Sequence, residues 1–151
     1  MATQQEIDAL LDQIKVPSAV RLAGGILAVE ALFVALFAFQ SVALITWRGN
    51  LWMAPAALFA PALAALVAAV GLTRARQWSL KAALLAGAVL LVADGAWLLL
   101  MFSSGVFSLL GIATVGGCLV SLLFVFLAME PFGHVATARR KLREAGYDVD
   151  L

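Results

Sequence analysis

Residues 82–102 read AALLAGAVLLVADGAWLLLMF, an apolar run in which Asp94 is the only charged side chain. A helix of about 20 residues crosses the roughly 30 Å hydrocarbon core of a bilayer, so this run is long enough to span a membrane. It is apolar on every face, whereas the strands of a membrane barrel alternate between apolar and polar residues. The stretch therefore predicts a transmembrane helix with a carboxyl group near its middle.

Three further apolar runs accompany this one. The four predicted spans are residues 22–47, 51–72, 82–102 and 106–129. The chain of 151 residues is 64% hydrophobic and 13% charged, with a mean hydropathy of +1.04, whereas soluble domains are about 45–50% apolar and 25% charged. We therefore predict an all-α polytopic membrane protein in which residues 16–131 form one four-helix transmembrane bundle.

Residues 1–15 form a predicted amphipathic leader helix on the cytoplasmic side. The apolar residues that recur there at helical spacing are Ile7, Leu10, Leu11 and Ile14. Thr3 followed by Glu6 fits a capping box at the start of this helix. Its polar face is acidic, so docking on the end of the bundle is favoured over binding to anionic lipid. A partly frayed leader is the alternative, because helices this short are marginal alone.

Residues 132–151 form a predicted basic cytoplasmic tail. The fourth span is expected to stop at Pro131, helped by Gly133, and a short tail helix to end at Gly146. The basic cluster in this tail is Arg139, Arg140, Lys141 and Arg143. Such a cluster beside a span predicts contact with anionic lipid headgroups. The alternatives are a solvated topology signal and pairing of the tail with the acidic leader.

The distribution of charge predicts the orientation. Four spans place both termini on one side of the membrane, and that side holds all of the ten basic residues except Arg48. Short loops rich in lysine and arginine remain in the cytoplasm, so both termini are expected to be cytoplasmic. The opposite side consists of two short turns, at residues 48–50 and 103–105, which leave no outer domain to bind a large ligand.

Glu30 and Asp94 are the only acidic side chains well inside the predicted spans. A carboxyl group in hydrocarbon is costly and by default suggests a functional site. With a rise of about 1.5 Å per residue, Glu30 is roughly 12 Å and Asp94 roughly 18 Å from the inner ends of their spans. If the first and third helices touch, the two carboxyl groups could share a proton or a cation.

No basic residue lies at a comparable depth in the sequence, so we expect one or both acids to be protonated at neutral pH. A protonated acid that donates to a backbone carbonyl and holds two helices together is the structural alternative. Trp97, three residues after Asp94, is interpreted as core, although it could also line a cavity. Cys118 is the only cysteine and is interpreted as a small packing residue.

Other chemistry is not indicated. The chain has no zinc-protease or C-x-x-C motif, no phosphate-binding glycine loop and no Ser–His–Asp set. We expect no cofactor, no metal site and no nucleic acid partner. Small residues at three- and four-residue spacing in the second span predict a seam for close helix packing. They are Ala57, Ala60, Ala64, Ala68 and Gly71.

Two resemblances bear on these expectations. The pattern Gly71-Leu72-x-Arg74-x-Arg76-x-Trp78 is similar to one found in small four-span bacterial membrane proteins. This resemblance implies the layout and the bacterial cytoplasmic membrane, but no activity or site. Glu30 resembles the glutamate in the first of the four spans of small multidrug resistance transporters. This chain is longer, has cytoplasmic tails and adds Asp94, so the second resemblance is an analogy only.

The sequence favours a non-enzymatic accessory or interaction subunit, because its loops are tiny and no catalytic set is present. The alternative is a small proton-coupled transporter or ion pathway that uses Glu30 and Asp94, for which dimerisation would be expected. A lipid-modifying enzyme is the third and least favoured hypothesis. The expected partners are the lipid bilayer, anionic lipids at the cytoplasmic face, and a homo-oligomer or larger membrane complex.

Overall fold

The computed structural model describes residues 4–45, 53–103, 105 and 107–147, which contain six α-helices. They are α1 (Gln4–Gln13), α2 (Ser18–Ile45), α3 (Met53–Thr73), α4 (Ser79–Ser103), α5 (Leu109–Leu127) and α6 (Met129–Glu144). No β-strand occurs in the described ranges, so the predicted all-α class is confirmed. Thr3 of the capping box and the turn at 48–50 lie outside the described residues.

Three helical segments are long and apolar enough to cross a membrane. They lie within Gln5–Val42, Ser79–Ser103 and Leu109–Leu127. A shorter apolar helix covers Ala57–Thr73 in α3. Each of the four predicted spans coincides with one helix to within a few residues at both ends. The membrane-spanning character of the chain is therefore supported for α2, α4 and α5.

The four long helices pack side by side in a cycle. α3 lies against α2 and α4, and α5 lies against the same two helices from the other side. α2 and α4 are therefore diagonal neighbours with little direct contact. Large apolar side chains such as Leu36, Leu99 and Leu109 cover the outer faces and are more than half exposed. Soluble monomers rarely expose such extended apolar surface, whereas lipid accepts it.

The face of α3 that packs against protein differs from the predicted small-residue seam. Ala57, Ala60 and Ala64 are exposed. The buried residues of α3 include Leu58, Ala62, Ala65, Ala69 and Leu72. α3 is apolar all round, and alanine occurs on both sides of it, so composition alone does not distinguish the protein-facing side from the lipid-facing side. Only the last two residues of the predicted seam, Ala68 and Gly71, are buried.

The junction between α5 and α6 also differs from the prediction. α5 ends at Leu127 and α6 begins at Met129, joined by Ala128 with near-helical dihedral angles (φ −78°, ψ −6°). Pro131 lies in the first turn of α6, where its missing N–H is tolerated. Gly133 lies inside α6. The fourth span thus ends at Leu127, close to the predicted limit, but Pro131 and Gly133 do not terminate it, because a proline can begin a helix as readily as it can end one.

The two terminal segments meet on one side of the molecule. α1 packs against α6 and buries Ile7, so the leader docks on the tail helix. α6 ends as predicted, with Gly146 in the left-handed conformation (φ +88°). The N–H groups of Gly146 and Tyr147 donate to the carbonyls of Arg143 and Leu142, each at 3.0 Å. This pair of bonds is the Schellman motif that closes many helices.

Candidate functional site: an intramembrane acid pair

Glu30 lies on the inward face of α2. It shares that face with Val34, Phe37 and Ser41, which follow at helical spacing and are buried. Its side chain is only 8% exposed. Because this face looks into the centre of the helix cycle, the carboxyl group is directed away from lipid over most of its surface.

Asp94 occupies the corresponding inward face of α4, together with Leu90, Trp97 and Met101. It is 0% exposed. Its helix is diagonal to α2, yet the two carboxyl groups are close enough to interact electrostatically. Both acids predicted from the sequence therefore lie on the inward faces of their helices, within electrostatic range of each other, although the two backbones make little direct contact.

α5 supplies the wall that holds Glu30 in place. The Cys118 thiol donates to Glu30 Oε1 with a sulfur–oxygen distance of 3.8 Å. A Cβ atom added at Gly117 would overlap the Glu30 carboxyl group. The carboxyl group therefore lies directly on the α5 backbone, at a position that only glycine leaves open.

One turn earlier, α5 also approaches Asp94. The Thr114 hydroxyl lies beside the Asp94 carboxyl group, but it donates to the Gly111 carbonyl at 3.0 Å. Neither Asp94 oxygen has a hydrogen-bond partner within the part of the chain that the structure describes. Leaving a buried polar group unpaired costs about 1–3 kcal/mol.

A lateral groove of about 1060 Å³ between α2 and α5 reaches Glu30. Its lining includes Ser18, Arg21, Gly25, Val29, Phe33 and Gly117. The groove starts near the first turn of α2 and is open toward the outer, apolar surface. Glu30 therefore lies between the interior of the bundle and a space that is open to lipid.

Further along α2 and α4, the core contains a second group of buried polar side chains. Trp97 is buried, as interpreted from the sequence, and its Nε1 donates to Ser41 Oγ at 3.0 Å. The Ser41 hydroxyl in turn donates to the Phe37 carbonyl at 2.8 Å. These polar groups are therefore hydrogen-bonded to each other in the core, whereas the α2–α5 groove reaches Glu30 from the outer surface.

The basic cluster of the tail is divided by the structure. Arg140, Lys141 and Arg143 are exposed. Arg139 is only 9% exposed, and its Nη1 donates to the Ala75 carbonyl between α3 and α4 at 2.6 Å. Burial lowers the pKa of the Arg139 guanidinium from its ordinary value. In this structure Arg139 is thus part of the packing of α6 on the α3–α4 connection rather than of the basic surface predicted for lipid.

Sequence reasoning identified the two acids but missed the contribution of α5. The missed residues share its buried face and are small or hydroxylated: Gly111, Thr114, Cys118 and Ser121. Their three- and four-residue spacing was the available signal, since it places weakly polar groups along one helix face. Cys118 packs as predicted, but it also contacts Glu30.

Comparison of the chain with models of protein families, with curated proteins and with solved structures finds no match. Among the described residues, no group of three or more His, Cys, Asp or Glu side chains is placed to hold a metal ion.

Proposed function

We propose that this protein is a non-enzymatic integral membrane protein that carries protons or small cations through the acid pair Glu30 and Asp94. The observation that supports this most is the fully buried Asp94, whose oxygens lack a partner among the described residues. A membrane-embedded acid without a structural bond is retained at a cost in stability. Reversible binding of a proton or cation is the use that fits that cost.

In this proposal α3 is the fourth transmembrane helix. It has 21 residues, from Met53 to Thr73, and thus a length of about 31 Å, close to the thickness of the hydrocarbon core. Four crossings place α1 and α6 on the same side, and the basic residues on that side favour the cytoplasm. The resemblance noted above suggests the bacterial cytoplasmic membrane.

The geometry suggests how binding would be coupled to transport. Glu30 exchanges protons or cations with the α2–α5 groove. Asp94, which is fully buried, provides the second binding group of the pair. A proton and a cation compete for the same carboxylates, because either one neutralises the buried charge. Transport to the other side then requires the layer around Trp97 and Ser41 to open.

The direct test uses purified protein in liposomes that contain a pH-sensitive dye, with an imposed pH gradient. Relative to wild type, Glu30→Gln and Asp94→Asn should each reduce proton flux at least tenfold, because an amide cannot exchange a proton. Glu130→Gln is the matched control, since Glu130 is exposed near the start of α6 and should leave flux unchanged. Thermal unfolding of each variant reports whether the bundle remains intact.

Two results would contradict the proposal. One is wild-type flux no greater than that of empty liposomes. The other is full flux in both Glu30→Gln and Asp94→Asn. Unfolded variants together with an inactive wild type would assign the acids to helix packing instead.

A second candidate is the accessory subunit favoured by the sequence. The supporting observation is the groove between α2 and α5, which is lined by Gly25 and Gly117 and ends at Glu30. Small residues let a helix of a partner approach closely, and a membrane-embedded acid can bond to it. In a Cys118→Ser background, Val29→Cys should then form a crosslink to one discrete partner in native membranes. Proton flux by the purified chain alone would argue against this candidate.

A further inference from the structure

Arg74 and Arg76 stand on a connection whose backbone is held rigidly. The N–H groups of Ala75 and Arg76 donate to the carbonyls of Leu72 and Gly71, at 2.9 and 3.1 Å. These bonds form a Schellman motif in which Ala75, rather than glycine, has the left-handed conformation (φ +50°). The bond from Arg139 to the Ala75 carbonyl adds a tether from α6. Both exposed arginines are thus presented from a fixed backbone.

Trp78 lies next to these arginines and is 46% exposed. Its ring rests against α3 at Gly71, where an added Cβ would lie 3.0 Å from Trp78 Cη2. The absence of a side chain at Gly71 therefore allows the indole to lie on the helix. Tryptophan is enriched at this position relative to a bilayer, at the level of the lipid headgroups.

Beneath the arginines, a hollow of about 270 Å³ is lined by Gly71, Arg74, Arg76 and Trp78. It shares Val67 and Trp78 with a second, larger cavity of about 610 Å³. The larger cavity is a groove between α3 and α4 that is lined by small and apolar side chains, including Ala60, Ala64, Ala68, Ala82, Ala86 and Val89. The two spaces are therefore neighbours at Val67 and Trp78, one with a basic lining and the other with an apolar lining, and together they are called the cleft below.

The length and charge of this cleft match one kind of ligand. From Gly71 to Ala60 the groove extends about 16 Å along α3, which is about half of the roughly 30 Å hydrocarbon core and thus the depth of one leaflet. No acidic side chain is among the described residues that line either cavity. Guanidinium groups bind phosphate oxygens in a bidentate manner.

We propose that this cleft binds an anionic phospholipid, with its phosphate on Arg74 and Arg76 and one acyl chain in the α3–α4 groove. The site is separate from the acid pair and from the exposed basic residues of the tail. It also accounts for the alanines of α3 that face outward, because a smooth surface accommodates a hydrocarbon chain.

The fluorescence of Trp78 reports whether lipid is bound in this cleft. The full chain is placed in phosphatidylcholine vesicles that contain a small fraction of either phosphatidylglycerol or phosphatidylcholine with brominated acyl chains, which quench nearby tryptophan. The signal of Trp78 is the part that Trp78→Phe removes. Brominated phosphatidylglycerol should quench it more strongly than brominated phosphatidylcholine. The preference is the ratio of quenching by brominated phosphatidylglycerol to quenching by brominated phosphatidylcholine. This ratio should fall about fivefold in Arg74→Gln and about fivefold in Arg76→Gln.

Two further variants separate a local site from general surface charge. The double variant Arg140→Gln/Lys141→Gln removes the same charge from the exposed tail and should change the preference less than twofold. Ala64→Leu fills the groove and should reduce quenching while both arginines remain. Ala113→Leu, at an exposed position of α5 outside the groove, should not.

The proposal is overturned if the Arg140→Gln/Lys141→Gln variant loses as much of the lipid preference as the Arg74→Gln and Arg76→Gln variants do. General attraction of the basic surface to anionic lipid would then explain the preference. The proposal is also overturned by full quenching in Ala64→Leu, or by quenching that disappears as the protein concentration rises, which would show that a second copy occupies the groove.

Discussion

Gly117 is the residue on which the position of the Glu30 carboxyl group depends. An added Cβ there would overlap the carboxyl group, whereas at the adjacent Gly116 it would meet nothing within 4 Å among the described atoms. The two glycines are chain neighbours on one helix, so they form a matched pair that separates contact with the acid from the intrinsic effect of alanine.

We predict that Gly117→Ala displaces Glu30 and destabilises the protein by about 1–3 kcal/mol, the usual cost of overpacking. Gly116→Ala should leave stability unchanged or raise it by up to about 1 kcal/mol, because alanine favours the helix. Thermal unfolding in detergent measures both. Equal behaviour of the two variants would show that the Glu30 carboxyl group does not lie on Gly117.

Arg139 offers a second test at the scale of single residues, because its guanidinium group donates a hydrogen bond to the carbonyl of the buried Ala75. We predict that Arg139→Met destabilises the protein by about 1–3 kcal/mol, since it leaves the Ala75 carbonyl without that donor. Arg140→Met, one residue later on the exposed surface, should change stability by less than about 0.5 kcal/mol. If both variants unfold at the same temperature, the tether contributes nothing.

At the scale of the helices, the sequence predicts where they lie better than which face they bury. Length and hydropathy located α2–α5 to within a few residues. The buried side of α3 could not be obtained in the same way, because Leu58 and Ala62 are no more apolar than the exposed Leu63 and Ala64. In a lipid environment both sides are apolar, so the periodicity that marks the core of a soluble helix is lost.

The crossing of α2 and α3 gives a prediction for these helices. A Cβ at Gly24 would lie 2.7 Å from Thr73 Cγ2 and 3.0 Å from the Ala69 carbonyl oxygen, whereas one at Gly25 meets nothing within 4 Å in the described structure. We predict that Gly24→Ala lowers stability by about 1–3 kcal/mol by forcing the helices apart. Gly25→Ala should be neutral or stabilising. Unfolding temperatures in one detergent decide between these outcomes.

At the scale of the whole molecule, the acid pair could be predicted only in part. Depth counting placed Glu30 and Asp94 about one helical turn apart, and in the structure both lie on the inward faces of their helices. An interaction between them was expected if the two helices touch, but α2 and α4 are diagonal and make little direct contact. The order of helices around the centre depends on packing between segments distant in the chain. For the same reason, the burial of Arg139 against Ala75 could not be predicted.

Orientation is the prediction that concerns the whole chain. In a Cys118→Ser background, we predict that a membrane-impermeant maleimide labels Ser103→Cys in intact cells. Gln5→Cys and Thr137→Cys should be labelled only after permeabilisation, because the positive side remains in the cytoplasm. Labelling of Ser103→Cys and Thr137→Cys from the same side would rule out four crossings.

A single residue, Ala128, joins α5 and α6, and this short junction links the two helices mechanically. α5 holds the Glu30 carboxyl group at Gly117, and α6 continues from α5 almost without interruption and grips the α3–α4 connection through Arg139. The two helices therefore connect the position of the Glu30 carboxyl group with the α3–α4 connection through an almost continuous helical path. We predict that Glu30→Gln changes the distance between spin labels at Gln77→Cys and Thr137→Cys in a Cys118→Ser background. An unchanged distance would show that α5 does not transmit the change at Glu30 to α6.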